Sequence, residues 1–294
     1  MKRLLSYLAV YALSLALFLA PAHAEKLKVV ASFSILGDMV QQVTGDLADV
    51  TTIVGPDADA HVYTPNVDDA RAVTNANVIF VNGLGFETWS KTLIETSGTK
   101  AKVFVATQGI TSLKVDGEID PHAWNALTNG VIYVRNIAKA MAEADPKNAK
   151  AYEANASAYI AKLEKLHKRT VAELNALPKD NRTVVTAHDA FGYLANAYKL
   201  KFLAPQGIDT EAEPSAKELA KLIDQLKREK VAALFVENIT SPALVEQISK
   251  ETGLKIGGRL FSDALSVKGG PATSYLAMFE HNLGVILKAL TVHS

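Results

Sequence analysis

The stretch PKNAKAYEANASAYIAKLEKLHKRTVAELNAL, residues 146–177, decides the fold that we predict for this chain. Its apolar or small side chains recur at spacings of three and four, which keeps them on one face of an α-helix. These positions are Tyr152, Ala156, Tyr159, Leu163, Leu166, Thr170, Leu174 and Leu177. Pro146 suits a first helical residue, and Pro178 stops the helix. A helix of this length spans roughly 45–50 Å, more than one small domain, so we predict a rigid strut between two lobes.

Short β-branched runs alternate with helical stretches on both sides of the strut. The predicted strands are residues 27–32, 50–54, 78–81 and 102–105 before it, and 183–187, 201–204, 231–236 and 255–259 after it. The predicted helices include residues 189–198 and one that begins at Ser215, whose hydroxyl can cap it while Glu218 reaches back in a capping box. Strands separated by helices indicate βαβ units and parallel sheets. The predicted fold class is therefore α/β, with two parallel-sheet lobes bridged by a long rigid backbone helix. The predicted boundaries are 25–127 for the N-terminal lobe, 128–181 for the helical bridge and 182–294 for the C-terminal lobe.

Residues 1–24 have the pattern of a secretory signal peptide. Lys2 and Arg3 precede an almost wholly apolar run at residues 4–20, and Ala22-His23-Ala24 is a small-x-small cleavage site. The run is at the lower edge of the length that spans a bilayer, and the cleavage-type residues favour removal over a transmembrane anchor. The chain has no cysteine to carry a lipid. We therefore predict a periplasmic protein that is not a lipoprotein and has no stable membrane anchor.

The composition excludes several classes of function. The chain has 31 Lys and Arg against 31 Asp and Glu, a formal net charge of zero. This balance, with no basic cluster, argues against a nucleic-acid partner. The absence of cysteine excludes disulfides, thiolate metal sites and a thiol nucleophile. We expect a monomer.

Four side chains with metal-ligand chemistry lie at or near strand–helix junctions. His61 lies in the loop after residues 50–54, His122 precedes a helix, His188 follows residues 183–187, and Asp263 follows residues 255–259. In open α/β sheets, ligands bind at the carboxyl ends of the strands. Each predicted lobe supplies two of the four residues, so facing lobes can bring them together in the cleft. Three imidazoles and a carboxylate suit a borderline divalent metal.

Other interpretations of these residues stay open on spacing alone. A loop histidine is more often a surface or capping residue, and an aspartate after a strand is often a helix cap. The gaps between the four positions match no local ligand motif such as H-E-x-x-H. The remaining histidines are His23 in the leader, His167 and His281 on predicted helix surfaces, and His293 at the chain end.

Taken together, several segments resemble the cluster A-I solute-binding proteins of ABC transporters, the TroA-like zinc/manganese receptors. The matching segments are ASFSILGD at 31–38, the His61 loop with Tyr63 and Pro65, DPHAW at 120–124, TAHDAFGY at 186–193, GIDTEAEPS at 207–215, DALS at 263–266 and GPA at 270–272. The resemblance spans essentially the whole mature chain in order. It implies a helix bridging two α/β lobes, the ion in the cleft, and ligands at His61, His122, His188 and Asp263. It also implies a membrane permease with a cytoplasmic ATPase as partners.

The donor set favours zinc slightly over manganese. Three nitrogens and one monodentate oxygen make a tetrahedron, whereas manganese prefers more oxygen donors and a larger coordination number. The family's dedicated zinc receptors often carry a histidine-rich loop before the second ligand, and residues 107–121 contain no histidine. Members regarded as manganese or iron receptors often have glutamate at the third ligand position, where this chain has His188.

The predicted function is capture of one divalent transition-metal ion, zinc or manganese, and its delivery to an ABC-type importer, without enzymatic activity. The first alternative is a zinc-dependent hydrolase with a three-histidine site and Glu211 or Glu237 as base. The second is a metal-independent adhesion or interaction module. Since imidazole binds metal only when neutral, metal affinity is expected to fall as the pH drops through roughly 6.5.

Overall fold

The computed structural model of the protein describes residues 25–178 and 182–292. The predicted signal peptide with His23 lies outside the described residues, and so does His293. In the described part of the chain, eight strands form two four-stranded parallel sheets and two short strands form an antiparallel hairpin. The predicted α/β fold class is confirmed.

The first sheet precedes the long helix in the chain. Its strands are β1 Leu27–Phe33, β2 Ala48–Val54, β3 Val78–Val81 and β4 Lys102–Val105, in the order β2-β1-β3-β4. Its helices are α1 Ser34–Thr44, α2 Val67–Asn75 and α3 Ser90–Ser97. The side chains of the last five residues of β1 are all buried, as expected for the central part of a sheet covered on both faces.

The second sheet follows the long helix and repeats the topology of the first. Its strands are β7 Thr183–Val185, β8 Lys201–Leu203, β9 Ala233–Glu237 and β10 Ile256–Leu260, in the order β10-β9-β7-β8. Its helices are α6 Gly192–Tyr198, α7 Ala216–Arg228, α8 Ala243–Thr252 and α9 Tyr275–Val292. In both sheets, the second strand in chain order lies on one side of the first strand, and the third and fourth strands lie on its other side. Each sheet therefore has a switch point between its first and third strands, where α/β sheets bind ligands.

The two sheets are connected by α4 Leu127–Ala144 and the long helix α5 Ala149–Asn175. The 27 residues of α5 correspond to a length of about 40 Å. Seven of the eight predicted stripe positions are buried, and Leu177, beyond the end of the helix, is half-buried. Residues 146–148 form a 3-10 turn rather than the start of the α-helix. After the helix ends, the buried Arg182 guanidinium donates to the carbonyl oxygens of Leu174 and Leu177.

A half-buried carboxylate connects α1, α5 and α9. Asp38 Oδ2 accepts hydrogen bonds from the backbone N–H of Tyr275 (2.9 Å) and from the hydroxyl of Tyr159 (3.3 Å). Burial raises the pKa of Asp38, and the bonds from Tyr275, Gln42 and Tyr159 oppose that rise. Tyr275 lies at the first position of α9, so the carboxylate also satisfies an otherwise unpaired helix N-terminal donor.

The structure differs from the prediction at one helix and at one hairpin. The helix predicted from residue 189 begins only at Gly192, because the Asp189 N–H donates to Gly207 O and the Ala190 N–H donates to His188 O. Residues 114–119 contain a hairpin that was not predicted, β5 Lys114–Val115 and β6 Glu118–Ile119, with Asp116 and Gly117 in left-handed conformations at its turn. Over residues 25–178 and 182–292, we find no helix with the length and apolarity needed to cross a bilayer.

Candidate metal centre

The four side chains singled out in the sequence meet in one buried cluster. One potential ligand atom from each of His61, His122, His188 and Asp263 lies within 4.8 Å of all the others. His122, His188 and Asp263 have no exposed surface, and His61 is 6% exposed. Such a group of nitrogens and a carboxylate, closed off from water, has the composition of a metal centre.

The fold places two of these residues just beyond a strand end and the other two in connecting segments. His188 lies three residues after β7 and Asp263 three residues after β10. His61 lies in the loop after β2, and His122 precedes a 3-10 turn at Ala123–Asn125 that leads into α4. The two sheets thus face each other with the carboxyl ends of their strands, and the cluster lies between them.

The distances within the cluster are those between ligands of one ion. His61 Nε2 lies 3.3 Å from His122 Nε2. Asp263 Oδ2 lies 3.2 Å, 3.6 Å and 3.1 Å from Nε2 of His61, His122 and His188. In a tetrahedral zinc site with bonds of ~2.0–2.1 Å, ligand atoms are about 3.3–3.4 Å apart. The cluster could therefore hold one cation at its centre.

Two further carboxylates contact the Nδ1 atoms of His122 and His188, whose Nε2 atoms face the cluster. Asp120 Oδ1 accepts from the His122 backbone N–H (2.9 Å) and lies 2.8 Å from His122 Nδ1. Glu237 Oε1 accepts from the N–H groups of Ala187 and His188, and its Oε2 lies 2.7 Å from His188 Nδ1. This last contact between Glu237 Oε2 and His188 Nδ1 is an ion pair, and its alignment is poor for a hydrogen bond. With Nδ1 held by a carboxylate, a neutral imidazole presents the lone pair of Nε2 to the cleft.

Aromatic rings close the N-terminal side of the cluster. The Phe86 ring lies against His61 at 4.8 Å between centroids and against Trp124 at 4.7 Å. Trp124 is fully buried, and its Nε1–H donates to Ser262 O (2.8 Å), directly before Asp263. Trp124 therefore connects the segment that carries His122 with the segment that carries Asp263. This wall excludes water and strengthens the electrostatic interactions inside it.

The charges of the cluster are strongly coupled. Burial alone would lower the pKa of His122, but the carboxylates of Asp263 and Asp120 outweigh it and raise the pKa to about 9. Burial would raise the pKa of Asp263, but His122 and His188 outweigh it and hold that pKa well below its usual value. Likewise the carboxylates of Glu237 and Asp263 outweigh burial and hold the pKa of His188 well above 6.5. These shifts favour the imidazolium forms of His122 and His188 in the metal-free cluster.

One oxygen of the cluster lacks a partner. Asp263 Oδ1 is buried and accepts no hydrogen bond, although buried carboxylate oxygens normally do. It belongs to the carboxylate whose Oδ2 faces the three imidazoles. A cation that Asp263 binds through both oxygens would satisfy it.

The other candidate residues lie elsewhere. His167 Nδ1 lies 3.0 Å from the Tyr198 hydroxyl, and His281 Nε2 lies 3.0 Å from Arg259 O. Glu211, a candidate base in the hydrolase alternative, is exposed in the loop before α7. Glu237, the other candidate base, lies behind His188 at Nδ1, on the far side of the ring from the cluster. Glu237 therefore lacks the position that a general base requires beside a metal-bound water.

The roles of Asp120 and Glu237 as partners of the imidazoles were not predicted from the sequence. A signal for Asp120 was present, because an aspartate two residues before a candidate ligand can bond its backbone and its ring at once. Glu237 is an acidic residue at the end of a buried strand, which itself suggests a functional position. Its partner, however, is 49 residues away, which local spacing does not reveal.

Comparison with known proteins assigns the chain to a family. Residues 29–289 match the family model ZnuA, described as zinc-uptake complex component A, periplasmic. The iron ABC transporter substrate-binding lipoprotein MtsA of Streptococcus pyogenes serotype M1 is 38% identical over 280 residues, covering 92% of this chain and 90% of the relative. The metal ABC transporter substrate-binding lipoprotein SloC of Streptococcus mutans is 34% identical over 278 residues, covering 91% of each chain.

Solved structures show the same fold. The Mn-bound periplasmic metal binding protein from Candidatus Liberibacter asiaticus is 33% identical, with a TM-score of 0.83 over 90% of this chain and 100% of that one. The periplasmic zinc binding protein TroA from Treponema pallidum is 28% identical, with a TM-score of 0.86 over 91% of this chain and 99% of that one. The predicted resemblance to TroA-like receptors is confirmed.

The predicted location needs correction. The prediction of a periplasmic protein that is not a lipoprotein is contradicted by the names of the relatives MtsA, SloC, ScbA and SsaB, all of which are lipoproteins. The prediction rested on the leader and on the absence of cysteine. The matched proteins include both lipoproteins and proteins called periplasmic, so a leader that directs export does not separate the two.

The match to the family model covers nearly all of the described residues, and both the sequence relatives and the solved structures align over about nine tenths of the chain. The chain belongs to the family of metal ABC transporter substrate-binding proteins described as zinc-uptake complex component A.

Proposed function

We propose that this protein binds one divalent transition-metal ion through His61, His122, His188 and Asp263 and delivers it to an ABC-type importer. The observation that carries the proposal is the convergence of four buried ligand atoms within 4.8 Å. The ion is the cargo of the protein, held between the two sheets. A single chain supplies all four donors, so the protein acts as a monomer, and its partners are the membrane permease with its cytoplasmic ATPase.

We propose zinc as the more tightly bound metal, ahead of manganese. The relatives differ in their metals, since MtsA is named for iron and the Liberibacter protein has been solved with manganese and with cadmium. Asp263 Oδ2 lies 3.1–3.6 Å from the three imidazole nitrogens, and His61 Nε2 lies 3.3 Å from His122 Nε2, distances that suit a four-coordinate zinc ion. Use of the unpartnered Asp263 Oδ1 as a fifth donor supports manganese binding as well.

The arrangement supports binding over hydrolysis. A catalytic zinc site keeps three protein ligands and one open position for water. Here a fourth potential donor, Asp263 Oδ2, lies 3.1–3.6 Å from all three imidazoles. A cation bound by all four donors has no open tetrahedral position.

Titration of the metal-free protein tests this function. We expect one zinc ion per chain, and thermal stabilisation by about 10 °C at a free zinc concentration a thousand times the dissociation constant. The measurement is a competition titration against a chromophoric chelator, paired with thermal melts in zinc and in manganese. A protein that binds no metal after complete removal of bound ions, or that hydrolyses esters only when loaded with zinc, would contradict the proposal.

The carboxylates behind the imidazoles give a second prediction. Asp120→Asn and Glu237→Gln preserve volume but weaken the contact to Nδ1, so each should lower zinc affinity about 10- to 100-fold. The same competition titration measures the loss. Glu229→Gln is the matched control, because Glu229 is a carboxylate that pairs with Lys201 at the surface. Equal affinity of the wild type and both buried variants would remove these two residues from the account.

A further inference from the structure

An irregular loop of residues 204–214, here called the cleft loop, connects β8 to α7 beside the cluster. Its base is tied to the segment that carries His188. The Gln206 N–H donates to Ala187 O (3.2 Å), and the Asp189 N–H donates to Gly207 O (2.9 Å). These two bonds flank His188 on both sides, so the base of the cleft loop moves with the C-terminal half of the site.

The far end of the cleft loop contacts the opposite half. The Thr210 hydroxyl donates to Asp59 Oδ2 at 2.6 Å, across 151 residues of sequence. The other oxygen of the same carboxylate, Asp59 Oδ1, accepts from the backbone N–H of His61 at 2.9 Å. Asp59 therefore joins Thr210 directly to the backbone of a ligand from the other sheet.

The surroundings of this contact leave room for it to open. A cavity of about 250 Å³ lies beside it and is lined by Asp59, Gln206, Thr210 and Ser241 among others. Both Asp59 and Thr210 are half-buried, so water reaches the carboxylate as soon as the hydroxyl moves away. Other connections between the two halves do not involve Thr210. Among them, Asp57 accepts from Asn238 Nδ2 (3.0 Å) and from the Val267 N–H (3.1 Å).

We propose that Thr210 is a positioning residue that holds His61 through Asp59 and thereby slows release of the bound cation. The inference rests on the proposed function and adds a kinetic role to it. With the hydroxyl bond made, the His61 segment and the His188 segment are held at a fixed separation around the ion. With it broken, this constraint on the His61 backbone is lost, and His61 is the first ligand to leave the ion. Capture begins in the open arrangement, so the association rate depends little on Thr210.

The test measures zinc dissociation by stopped flow, with the loaded protein mixed into excess chelator. Thr210→Val keeps the shape of the side chain and removes the donor, and it should speed dissociation about 10- to 100-fold, the value of one hydrogen bond to a charged acceptor. Thr210→Ala should do the same, whereas Thr210→Ser, which retains the hydroxyl, should restore a rate near that of the wild type. The association rate should change less than threefold in all three variants, which corresponds to a change in activation free energy of about half a kcal/mol at most.

A double-mutant cycle tests whether Thr210 acts through Asp59. On an Asp59→Ala background, Thr210→Val should have no further effect, because the acceptor is already absent. Thr96→Val is the matched control, since its hydroxyl bonds only to its own helix, at Thr92 O and Leu93 O. We expect the control to release zinc at the wild-type rate.

Each outcome decides the inference. Additive effects of the Asp59 and Thr210 variants, a fast Thr210→Ser variant, or unchanged dissociation in Thr210→Val overturn the positioning role while zinc binding by the wild type stands. Absence of zinc binding by the wild type overturns both this inference and the proposed function.

Discussion

We expect replacement of Asp263 by alanine to lower the zinc affinity of this protein by about two to three orders of magnitude. Asp263 is the only carboxylate of the cluster, and its Oδ2 lies within 3.6 Å of all three imidazole nitrogens. Apparent binding energies of four-ligand zinc sites are roughly 10–16 kcal/mol, so one ligand accounts for about 3–4 kcal/mol, or a few hundred- to a thousandfold in affinity. The measurement is a chelator competition titration at fixed pH and ionic strength.

Two further variants separate ligand loss from damage to the fold. Asp263→Asn keeps the side-chain volume but removes the charge, and we expect most of the loss to remain. His167→Ala is the histidine control, because His167, on the long helix, contacts Tyr198 of α6 and lies outside the cluster. Zinc affinity within tenfold of the wild type in both Asp263 variants would exclude Asp263 as a ligand.

Zinc binding releases protons over an unusually high pH range. The pKa of His122 in the metal-free protein is raised from 6.5 to about 9, and the pKa of His188 is raised as well. Since zinc binds only neutral imidazole, each binding event at pH 7 must expel between about one and two protons. We therefore expect zinc affinity to rise with pH up to about 9. The raised pKa values move the expected window upward from the value near pH 6.5 of ordinary histidines, because the buried carboxylates stabilise the imidazolium form.

Whereas zinc affinity is expected to rise with pH, the contribution of His122 to the stability of the metal-free protein is expected to fall. A group whose pKa is raised on folding stabilises the folded state below its unfolded pKa, and this contribution is lost as the pH rises through the folded pKa. For His122 the contribution is complete below about pH 6.5 and lost as the pH passes about 9. The thermal shift caused by zinc should therefore grow between these limits.

Calorimetry in two buffers measures the proton release. At pH 7, the heat of zinc binding in buffers with different ionisation enthalpies gives the number of protons set free. For the wild type at pH 7 we expect the release of between about one and two protons per zinc ion, and at pH 9.5 we expect fewer. At pH 7, His122→Ala should release about one proton fewer than the wild type. A heat that is independent of the buffer at pH 7 would contradict the account of the charges.

The sequence allowed the fold to be predicted because its periodic signals were unusually regular. The stripe from Tyr152 to Leu174 has few interpretations other than a long helix with one buried face, and the structure buries it throughout. Ser215 with Glu218 forms the predicted capping box at the start of α7. Where tertiary hydrogen bonds compete with local preference, as at residues 189–191, the prediction was wrong by a few residues.

The candidate site could be predicted only in part. Positions at the carboxyl ends of strands pointed to His61, His122, His188 and Asp263, and these four residues lie together. The contacts that adjust the cluster depend on distant pairs, such as Glu237 with His188 and Thr210 with Asp59. No local pattern encodes such pairs, since they arise only when two sheets of the same topology face each other. The charge state of the cluster follows from these pairs and from burial, and it was missed for the same reason.

The central claim is that four side chains from opposite sheets surround one cation. A crystal structure of the zinc-loaded protein, with anomalous diffraction recorded on both sides of the zinc absorption edge, tests it most directly. We predict a single strong anomalous peak at ~2.0–2.2 Å from Nε2 of His61, His122 and His188 and from Oδ2 of Asp263. A peak elsewhere in the molecule, or an ion in the cleft that is bound by fewer than three of these residues, would contradict the account.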